Sequence, residues 1–520
     1  MRGADLLAKC LKDAGTETIF ALSGNQIMSV FDACLDTSIR LVHTRHEAAA
    51  AFMAEGYAQI SGKPGIALVT AGAGLGNAIA PLMTARASQT PLLLLSGDSP
   101  AGLDGKGAFQ EMDQVALTAS LTKMSRRIET GEDMAEAVHA AFKAALSGQP
   151  GPVHLSLPAD ILEQEVGNRP VSDQAHSEDT PDVSEIIALL NEASHPMVLL
   201  GPELNQTRFE RDLSSLGVPA LALESPRGAR DPSLGRFGQA WETTDLVVVL
   251  GKPVDFSLGF GSADHWPNAR WVTVHGDEAE MQRATRNLGD RLVSSRLGAP
   301  RQWAEALLQR SGEIANRSEW SVDVSKLCAA RPGVERRNGA ITSAMLGDTL
   351  NATIQNSASP IFVGDGGEIG KWAQALVSAP RRVINGVAGA IGGGLCYAIG
   401  AKAAAPASDV FVCMGDGTVG FHLAEFETAV RENLPFVAVI GNDRRWNAEH
   451  ELQRRNFGED RTHGCTLSAA RYDEAVTALG GFGAHVTQPS ELADALSDAL
   501  ASGKPACVNV EIESQPAPAF

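Results

Sequence analysis

Residues 410–447 read VFVCMGDGTVGFHLAEFETAVRENLPFVAVIGNDRRWN. Val410 to Met414 is a run of consecutive apolar residues, the pattern of a strand buried on both faces. It breaks at Gly415-Asp416-Gly417-Thr418, after which Phe421, Ala424, Phe426, Ala429 and Val430 fall near helical spacing. Pro435 then precedes a second apolar run, Phe436 to Ile440, which ends in Gly441-Asn442-Asp443. The stretch predicts a β-α-β unit, so Asp416 and Asp443 both leave the carboxyl edge of parallel strands. That edge is where open α/β sheets bind their ligands.

Gly-Asp-Gly alone is a common turn after a strand. A second Asp at another strand end, 27 positions later (416 to 443), is far more specific. Two carboxylates and a backbone carbonyl from the following loop make a hard-oxygen set suited to Mg²⁺, which binds one or two carboxylates plus phosphate oxygens and water. Gly415 and Gly417 keep side chains away, so backbone N–H groups can approach a phosphate.

Outward from this unit the α/β pattern repeats. Strands are expected at Thr18 to Leu22, Gly65 to Thr70 and Pro91 to Ser96, then at Pro196 to Leu200, Ala220 to Leu223, Asp245 to Leu250 and Trp271 to His275. The last block adds Pro360 to Val363 and Ala506 to Ile512. Glu163 to Val183 and about Ser311 to Gly339 lack hydrophobic period and read as linkers. The expectation is α/β with three doubly wound parallel-sheet domains, at 1–165, 184–311 and 340–520.

Bulk properties exclude several classes. The net charge of −19 over 520 residues argues against a nucleic-acid surface and gives no reason to expect an anionic membrane. Apolar runs such as Leu246 to Leu250 are too short to span a bilayer. The N-terminus shows no signal-peptide core, and seven widely spaced cysteines form no Cys-x-x-Cys pair. A cytoplasmic protein is expected.

In LVHTRHEAAAAFMAEGY (41–57), a short strand feeds a helix of small residues with Glu47 in its first turn. A glutamate there is ordinarily a partner for the helix dipole; Glu55 is the nearest competitor for any chemical role.

Taken together, Gly415-Asp416-Gly417 … Asn442-Asp443 and Arg45-His46-Glu47-x-x-Ala50-x-x-Met53-Ala54-x-Gly56-Tyr57 resemble the cofactor motifs of thiamine-diphosphate enzymes. The nearest pattern is that of acetolactate synthases, benzoylformate decarboxylases and 2-hydroxyacyl-CoA lyases. The resemblance implies pyrimidine-binding, central and diphosphate-binding domains in that order. It implies Mg²⁺ held by Asp416, Asp443 and the Arg445 carbonyl, with Asn442 as a minor alternative to Asp443. The family pattern more often has Asn at the position of Asp443, and both are oxygen ligands. Glu47 becomes the residue that activates the cofactor's pyrimidine ring.

Other family elements fall in order. Gly24-Asn25-Gln26 and Thr70-Ala71-Gly72-Ala73-Gly74-x-Gly76-Asn77 resemble loops of the pyrimidine domain, and Phe109-Gln110-Glu111 the element beside the reacting centre, with Gln110 as substrate contact. Asp365-Gly366-Gly367-Glu368 resembles a loop over the diphosphate, which Gly415, Gly417 and Thr418 also hold. Gly389-Ala390-Ile391-Gly392 resembles the segment that bends the cofactor, with Ile391 as wedge. The glycines from Gly386 to Gly394 are not spaced as G-x-G-x-x-G, so a dinucleotide is not implied.

The implied activity is cleavage or ligation of a C–C bond beside a carbonyl, as a 2-keto acid decarboxylase or carboligase. A 2-hydroxyacyl-CoA lyase and a C–C hydrolase are the alternatives within the family. Outside it stand an inactive cofactor-binding homologue and a flavin oxidoreductase. Gly441-Asn442-Asp443-x-x-Trp446 with Gln453 looks more like the lyase branch. FAD is not expected, because only a short link separates Leu234-Gly235-Arg236-Phe237 from the next strand. His43, His46 and His450 are candidate proton shuttles, though each also reads as an ordinary packed or surface histidine. The family builds its sites between subunits, which implies a homodimer or homotetramer acting on a small carbonyl substrate.

Overall fold

The structure is a computed structural model that describes residues 1–167, 180–225, 227–334, 339–385 and 388–518. The first sheet holds β1 (Thr18–Ala21), β2 (Arg40–His43), β3 (Gly65–Val69), β4 (Leu92–Asp98), β5 (Ser125–Arg127) and β6 (Pro152–Pro158). The second holds β7 (Pro196–Leu200), β8 (Ala220–Ala222), β9 (Leu246–Leu250), β10 (Arg270–His275) and β11 (Leu292–Leu297). The third holds β12 (Pro360–Gly364), β13 (Arg381–Ile384), β14 (Asp409–Gly415), β15 (Val437–Asn442), β16 (Phe482–Val486) and β17 (Ala506–Glu511).

Every pairing between these strands is parallel. Alternate residues of one strand feed different cores, so both faces of each sheet are covered. In β3, Ala67 and Val69 join one core, and Ile66 and Leu68 another. In β14, Val410 and Met414 face one core, and Phe411 and Cys413 the next. The α/β architecture of three parallel sheets thus follows from apolar runs too continuous for a half-solvated strand.

The two outer sheets share one strand order. The first runs β2-β1-β3-β4-β6-β5 and the third β13-β12-β14-β15-β17-β16, which is the same order counted from each sheet's first strand. The direction of winding therefore reverses between β1 and β3, and equally between β12 and β14. A ligand crevice belongs at each reversal.

The outer sheets meet through two helices, Glu47–Ser61 and Gly394–Ala404, in one continuous core. Their small residues allow unusually close approach. A Cβ on Gly400 would lie 2.0 Å from the Met53 carbonyl oxygen, and one on Gly56 would lie 2.7 Å from that of Tyr397. Glu55 is fully buried in this contact, accepting hydrogen bonds from Thr84 (2.7 Å), Ser88 (2.6 Å) and the Tyr397 hydroxyl (3.0 Å). That use leaves Glu55 out of any cleft.

Two expectations need correction. The stretch from Ser311 to Gly339 is not wholly a linker: it holds the helix Ser318–Cys328, whose Val324 is buried with Trp266 and Trp271 of the central block. Between β14 and β15 a short helix, Asp416–Val419, precedes the longer Glu425–Arg431, which starts later than the apolar spacing indicated, and Phe421 lies outside both and 55% exposed. No helix among the described residues is long and apolar enough to cross a membrane. All seven cysteines are free.

Candidate active site

A cleft opens at the carboxyl edge of the third sheet, where β12, β14 and β15 end side by side. Its walls include Gly366, Gly367, Glu368, Ile391, Gly415 to Thr418, Asp443 and Arg445 to Glu449. Asp416 and Asp443 follow adjacent strands in register, with Gly415 opposite Gly441. Burial pushes the Asp416 carboxyl up to about 7, and the nearby Asp443 charge adds to the shift. Asp443 rises to about 6, chiefly from burial, against the pull of the Ser514 hydroxyl and Arg445.

Asp416 Oδ2 is buried and has no hydrogen-bond partner. A buried anionic oxygen without a partner costs several kcal/mol unless something cationic meets it. Arg445 forms an antiparallel bridge with Thr466 in which the flanking residues make the bonds, Trp446 N–H to the Cys465 carbonyl and Leu467 N–H to that of Arg444. The N–H and carbonyl of Arg445 are thereby left on the opposite edge, where the N–H favours charge on both carboxylates. Asn442 is engaged elsewhere: its amide donates to Asn509 Oδ1 (3.1 Å) and the Ala470 carbonyl (3.3 Å). Of the two residues at this strand end, Asp443 lines the cleft.

Among the described residues no three His, Cys, Asp or Glu side chains converge as a metal nest. Two carboxylates and a carbonyl are too few for a protein-only cage, but they suit Mg²⁺ completed by phosphate oxygens and water. The donor set fits the ion on these grounds.

The surrounding residues keep the cleft open and shaped. A Cβ on Gly417 would lie 2.7 Å from the Trp446 ring, and one on Gly366 would lie 2.9 Å from Ile391 Cγ2. Thr418 donates to the Gly415 carbonyl (3.1 Å), and the Tyr472 hydroxyl to that of Asp416 (3.0 Å). Asp365 sits differently from the expected cofactor contact. It is fully buried and accepts from Gly366 N–H (2.7 Å), Asn385 (2.9 Å) and Gly392 N–H (3.0 Å), so it braces the loop. Glu368 is paired with Lys371 at 2.5 Å and accepts from Ala517 N–H. Gly389 is left-handed at φ 75° and, like Ala390, stands beside the cleft rather than in its wall.

The N-terminal candidates form a separate group at the first sheet's reversal point. Asn77 Nδ2 donates to Glu47 Oε2 at 2.9 Å. Thr70 donates to Gln26 Oε1 (2.6 Å), and Gln26 Nε2 to Gln110 Oε1 (2.8 Å). Gly24 and Gly74 pack on Thr70, where added Cβ atoms would come within 2.3 and 2.7 Å of it. Gly72 must be glycine: its φ is +58°, and a Cβ would lie 2.9 Å from the Gln110 carbonyl oxygen. Asn25 is exposed, beside the group rather than bonded into it.

The histidines have local duties. His46 caps its helix, with Nδ1 accepting from Ala48 N–H at 3.1 Å, and His43 pairs with the Ser23 hydroxyl at 3.1 Å. His450 Nδ1 lies 3.6 Å from Glu451. Sequence reasoning missed Gln114, which accepts from Gly72 N–H (2.9 Å) and donates to Ser156 (2.9 Å) and the Gly97 carbonyl (2.9 Å). Its position four residues after Gln110 was the available signal.

No residue of the first sheet's group lines the cleft at Asp416. The chain thus carries two separate groups of candidate residues, one with a glutamate and one with a carboxylate pair.

Family comparisons agree with this division. Residues 1–117 match a model described as the thiamine pyrophosphate enzyme N-terminal TPP binding domain, and residues 365–510 match its C-terminal TPP binding domain. The chain is 30% identical to an acetolactate synthase large subunit of Mycobacterium tuberculosis, over 98% of this chain and 95% of the relative. It is 30% identical to 2-hydroxyacyl-CoA lyase 2 of Bos taurus, over 98% and 90%, and 26% identical to a 2-hydroxyacyl-CoA lyase of Arabidopsis thaliana, over 98% and 95%. With both binding domains matched and a relative 30% identical over nearly its whole length, the chain belongs to the thiamine pyrophosphate enzyme family.

Proposed function

We propose that this protein uses thiamine diphosphate and Mg²⁺ to break or make a C–C bond next to a carbonyl, as a 2-keto acid decarboxylase or carboligase of the acetolactate-synthase type. The observation that carries the reading is the buried, unpartnered Asp416 Oδ2 beside Asp443 at adjacent strand ends. When bound, thiamine diphosphate supplies a carbon nucleophile and an adjacent electron sink.

The chain's residues have distinct jobs. Asp416, Asp443 and the Arg445 carbonyl hold the metal, and Asn442 stays a structural neighbour. Gly415, Gly417, Thr418, Gly366 and Gly367 leave room and N–H groups for the diphosphate, within a loop that Asp365 and Glu368 brace. Gly389, Ala390 and Ile391 set the cofactor's bend. Glu47 holds a proton at the pyrimidine ring nitrogen; Asn77 occupies its Oε2 and leaves Oε1 free for that contact. Gly24, Asn25, Thr70 and Gly72 shape the pyrimidine side, and Gln110, ordered by Gln26, faces the substrate.

Because the two half sites do not converge in one chain, a second copy supplies the Glu47 half to each metal half. A homodimer is the smallest active unit, and a tetramer pairs two such dimers. The reading includes no flavin, since the turn Phe237–Ala240 lies only a few residues ahead of β9. The free cysteines suit a reducing cytoplasm.

A second reading, 2-hydroxyacyl-CoA lyase, is favoured by Gly441-Asn442-Asp443-x-x-Trp446 with Gln453, and by the relatives of that name. Turnover is measured with Mg²⁺ and thiamine diphosphate against pyruvate, benzoylformate, oxalyl-CoA, a 2-hydroxyacyl-CoA and a cyclic diketone, with Glu47→Gln as control. CO₂ or ligated product from a keto acid supports the first reading, and aldehyde from the hydroxyacyl thioester the second. Absence of cofactor binding by calorimetry overturns both.

A further inference from the structure

The segment leading into the helix Glu47–Ser61 is gripped from the opposite end of the chain. Arg45 N–H donates to Glu425 Oε1 at 3.0 Å, and the neighbouring His46 N–H also favours charge on this carboxylate. Glu425 opens the helix Glu425–Arg431, inside the connection between β14 and β15 that also carries Asp416. It is 1% exposed, and its second oxygen accepts from the Thr428 hydroxyl at 2.6 Å.

Three further contacts tie the same segment to this helix and the residue after it. Arg45 approaches Glu427 at 3.7 Å, Arg40 approaches Glu432 at 3.4 Å, and Arg431 donates to the His43 carbonyl. The ion pairs are partly exposed and contribute little. Glu425 is different, because it is buried and bonded to backbone. Burial pushes its carboxyl up to about 7, opposed by Thr428, the two N–H groups and the Arg45 guanidinium. Two other groups face this corner: the buried Cys396 thiol, pushed up by burial and the Glu425 charge, and His422, stacked edge-on to His46 at 6.0 Å between ring centroids and held down to about 4 by burial. A carboxylate kept in so unfavourable a place satisfies donors that nothing else there meets.

We propose that Glu425 is a positioning residue for Glu47: by clamping the Arg45 N–H it fixes the entry to the first turn from which Glu47 projects. The inference rests on Glu47 being the activating carboxylate. It makes one connection between strands responsible for both halves of the chemistry, with Asp416 at its start and the Glu47 clamp at its end.

The test uses Glu425→Ala, Glu425→Gln and Glu47→Gln in the full-length protein. Without cofactor, hydrogen–deuterium exchange read by mass spectrometry should show the amide of Arg45 exchanging about tenfold or more faster in Glu425→Ala, as expected for losing a charge-assisted hydrogen bond. The helix interior beyond Ala51 should be unchanged, and Glu425→Gln, which keeps one acceptor oxygen, should be intermediate. With cofactor and Mg²⁺, deuterium exchange at the cofactor's reactive carbon should slow in Glu425→Ala, with cofactor affinity unchanged.

Wild-type exchange at Arg45 in Glu425→Ala overturns the proposal. So does loosened backbone with a wild-type rate at the reactive carbon. If Glu47→Gln itself keeps that rate, the assignment of Glu47 fails instead, and Glu425 is a structural clamp only. Should Glu425→Ala not fold, Glu425→Gln is read by the same two measurements, and wild-type values in both overturn the proposal.

Discussion

Asn77 Nδ2 lies 2.9 Å from Glu47 Oε2, a bond between the loop after β3 and the helix after β2. It fixes one oxygen of a half-buried carboxylate and leaves Oε1 beside Gly74, where an added Cβ would stand 3.5 Å away. Asn77→Ala frees the carboxylate to swing, so kcat should fall about tenfold while cofactor affinity holds, the loss expected when a positioned acid–base group loses its orientation. Glu47→Gln should cost about a hundredfold or more. Steady-state kinetics with calorimetric cofactor titration check both; an Asn77→Ala enzyme with wild-type kcat removes Asn77 from the argument.

The Asp416–Asp443 pair makes a prediction about metal. Chelation should abolish turnover and added Mg²⁺ should restore it. Asp416→Ala should not be restored at any practical concentration, because it removes the buried oxygen that lacks a protein partner. Asp443→Asn keeps an oxygen at the same strand end and should stay active with a raised Mg²⁺ requirement, whereas Asp443→Ala should lose it. Asn442→Ala, by contrast, breaks contacts to Asn509 and Ala470 and should lower the melting temperature without moving the Mg²⁺ half-saturation. An unchanged half-saturation in Asp443→Ala would count decisively against Asp443 as ligand.

Strands at the middle of each sheet were readable because burial on both faces leaves an unbroken apolar run, as in Pro196 to Leu200 and Val410 to Met414. Several edge strands were not, although β8, at the rim of the second sheet, was read at Ala220 to Leu223. β5 (SRR), β13 (RRVI) and β16 (FGAHV) are half solvated, so polar residues interrupt them. β6 was missed for another reason: it is fully buried, yet His154 and Ser156 spoil its pattern, and they are tolerated because Ser96, Thr118 and Gln114 bond them. The shared order of the outer sheets leaves no trace in composition. At the cleft, the strand-end positions of Asp416 and Asp443 were legible in the apolar runs before them, whereas the bracing role of Asp365 depends on Asn385 and Gly392, 20 and 27 residues away.

Gly72 tests how tightly the first sheet's loop must be held. Its left-handed backbone and the Gln110 carbonyl 2.9 Å from any Cβ make Gly72→Ala strained twice over. Gln110 is itself left-handed at φ 62°, so it has little freedom to retreat. The Gly72–Gln114 hydrogen bond should open and Gln110 should shift. The expected result is a rise in KM for the carbonyl substrate, with stability lowered by about 1–3 kcal/mol. If KM stays fixed while stability falls, Gln110 does not face the substrate.

Glu203 gives a pH test away from the chemistry. It is 1% exposed, Oε1 has no partner, and burial lifts its carboxyl to about 7 despite Arg208, Arg301 and Lys123. Since the folded value lies above the unfolded one, the folded state holds a proton that the unfolded state has released between about pH 4.5 and 7. Its contribution to stability is therefore fully present at low pH and is lost as pH rises through 7. A displacement from 4.5 to about 7 corresponds to roughly 3 kcal/mol. Glu203→Gln keeps the shape without the charge, so its denaturation midpoint should match wild type near pH 5 and exceed it increasingly toward pH 8. Wild-type and variant midpoints that run parallel across that range would mean Glu203 is charged throughout, neutralised by the arginines beside it.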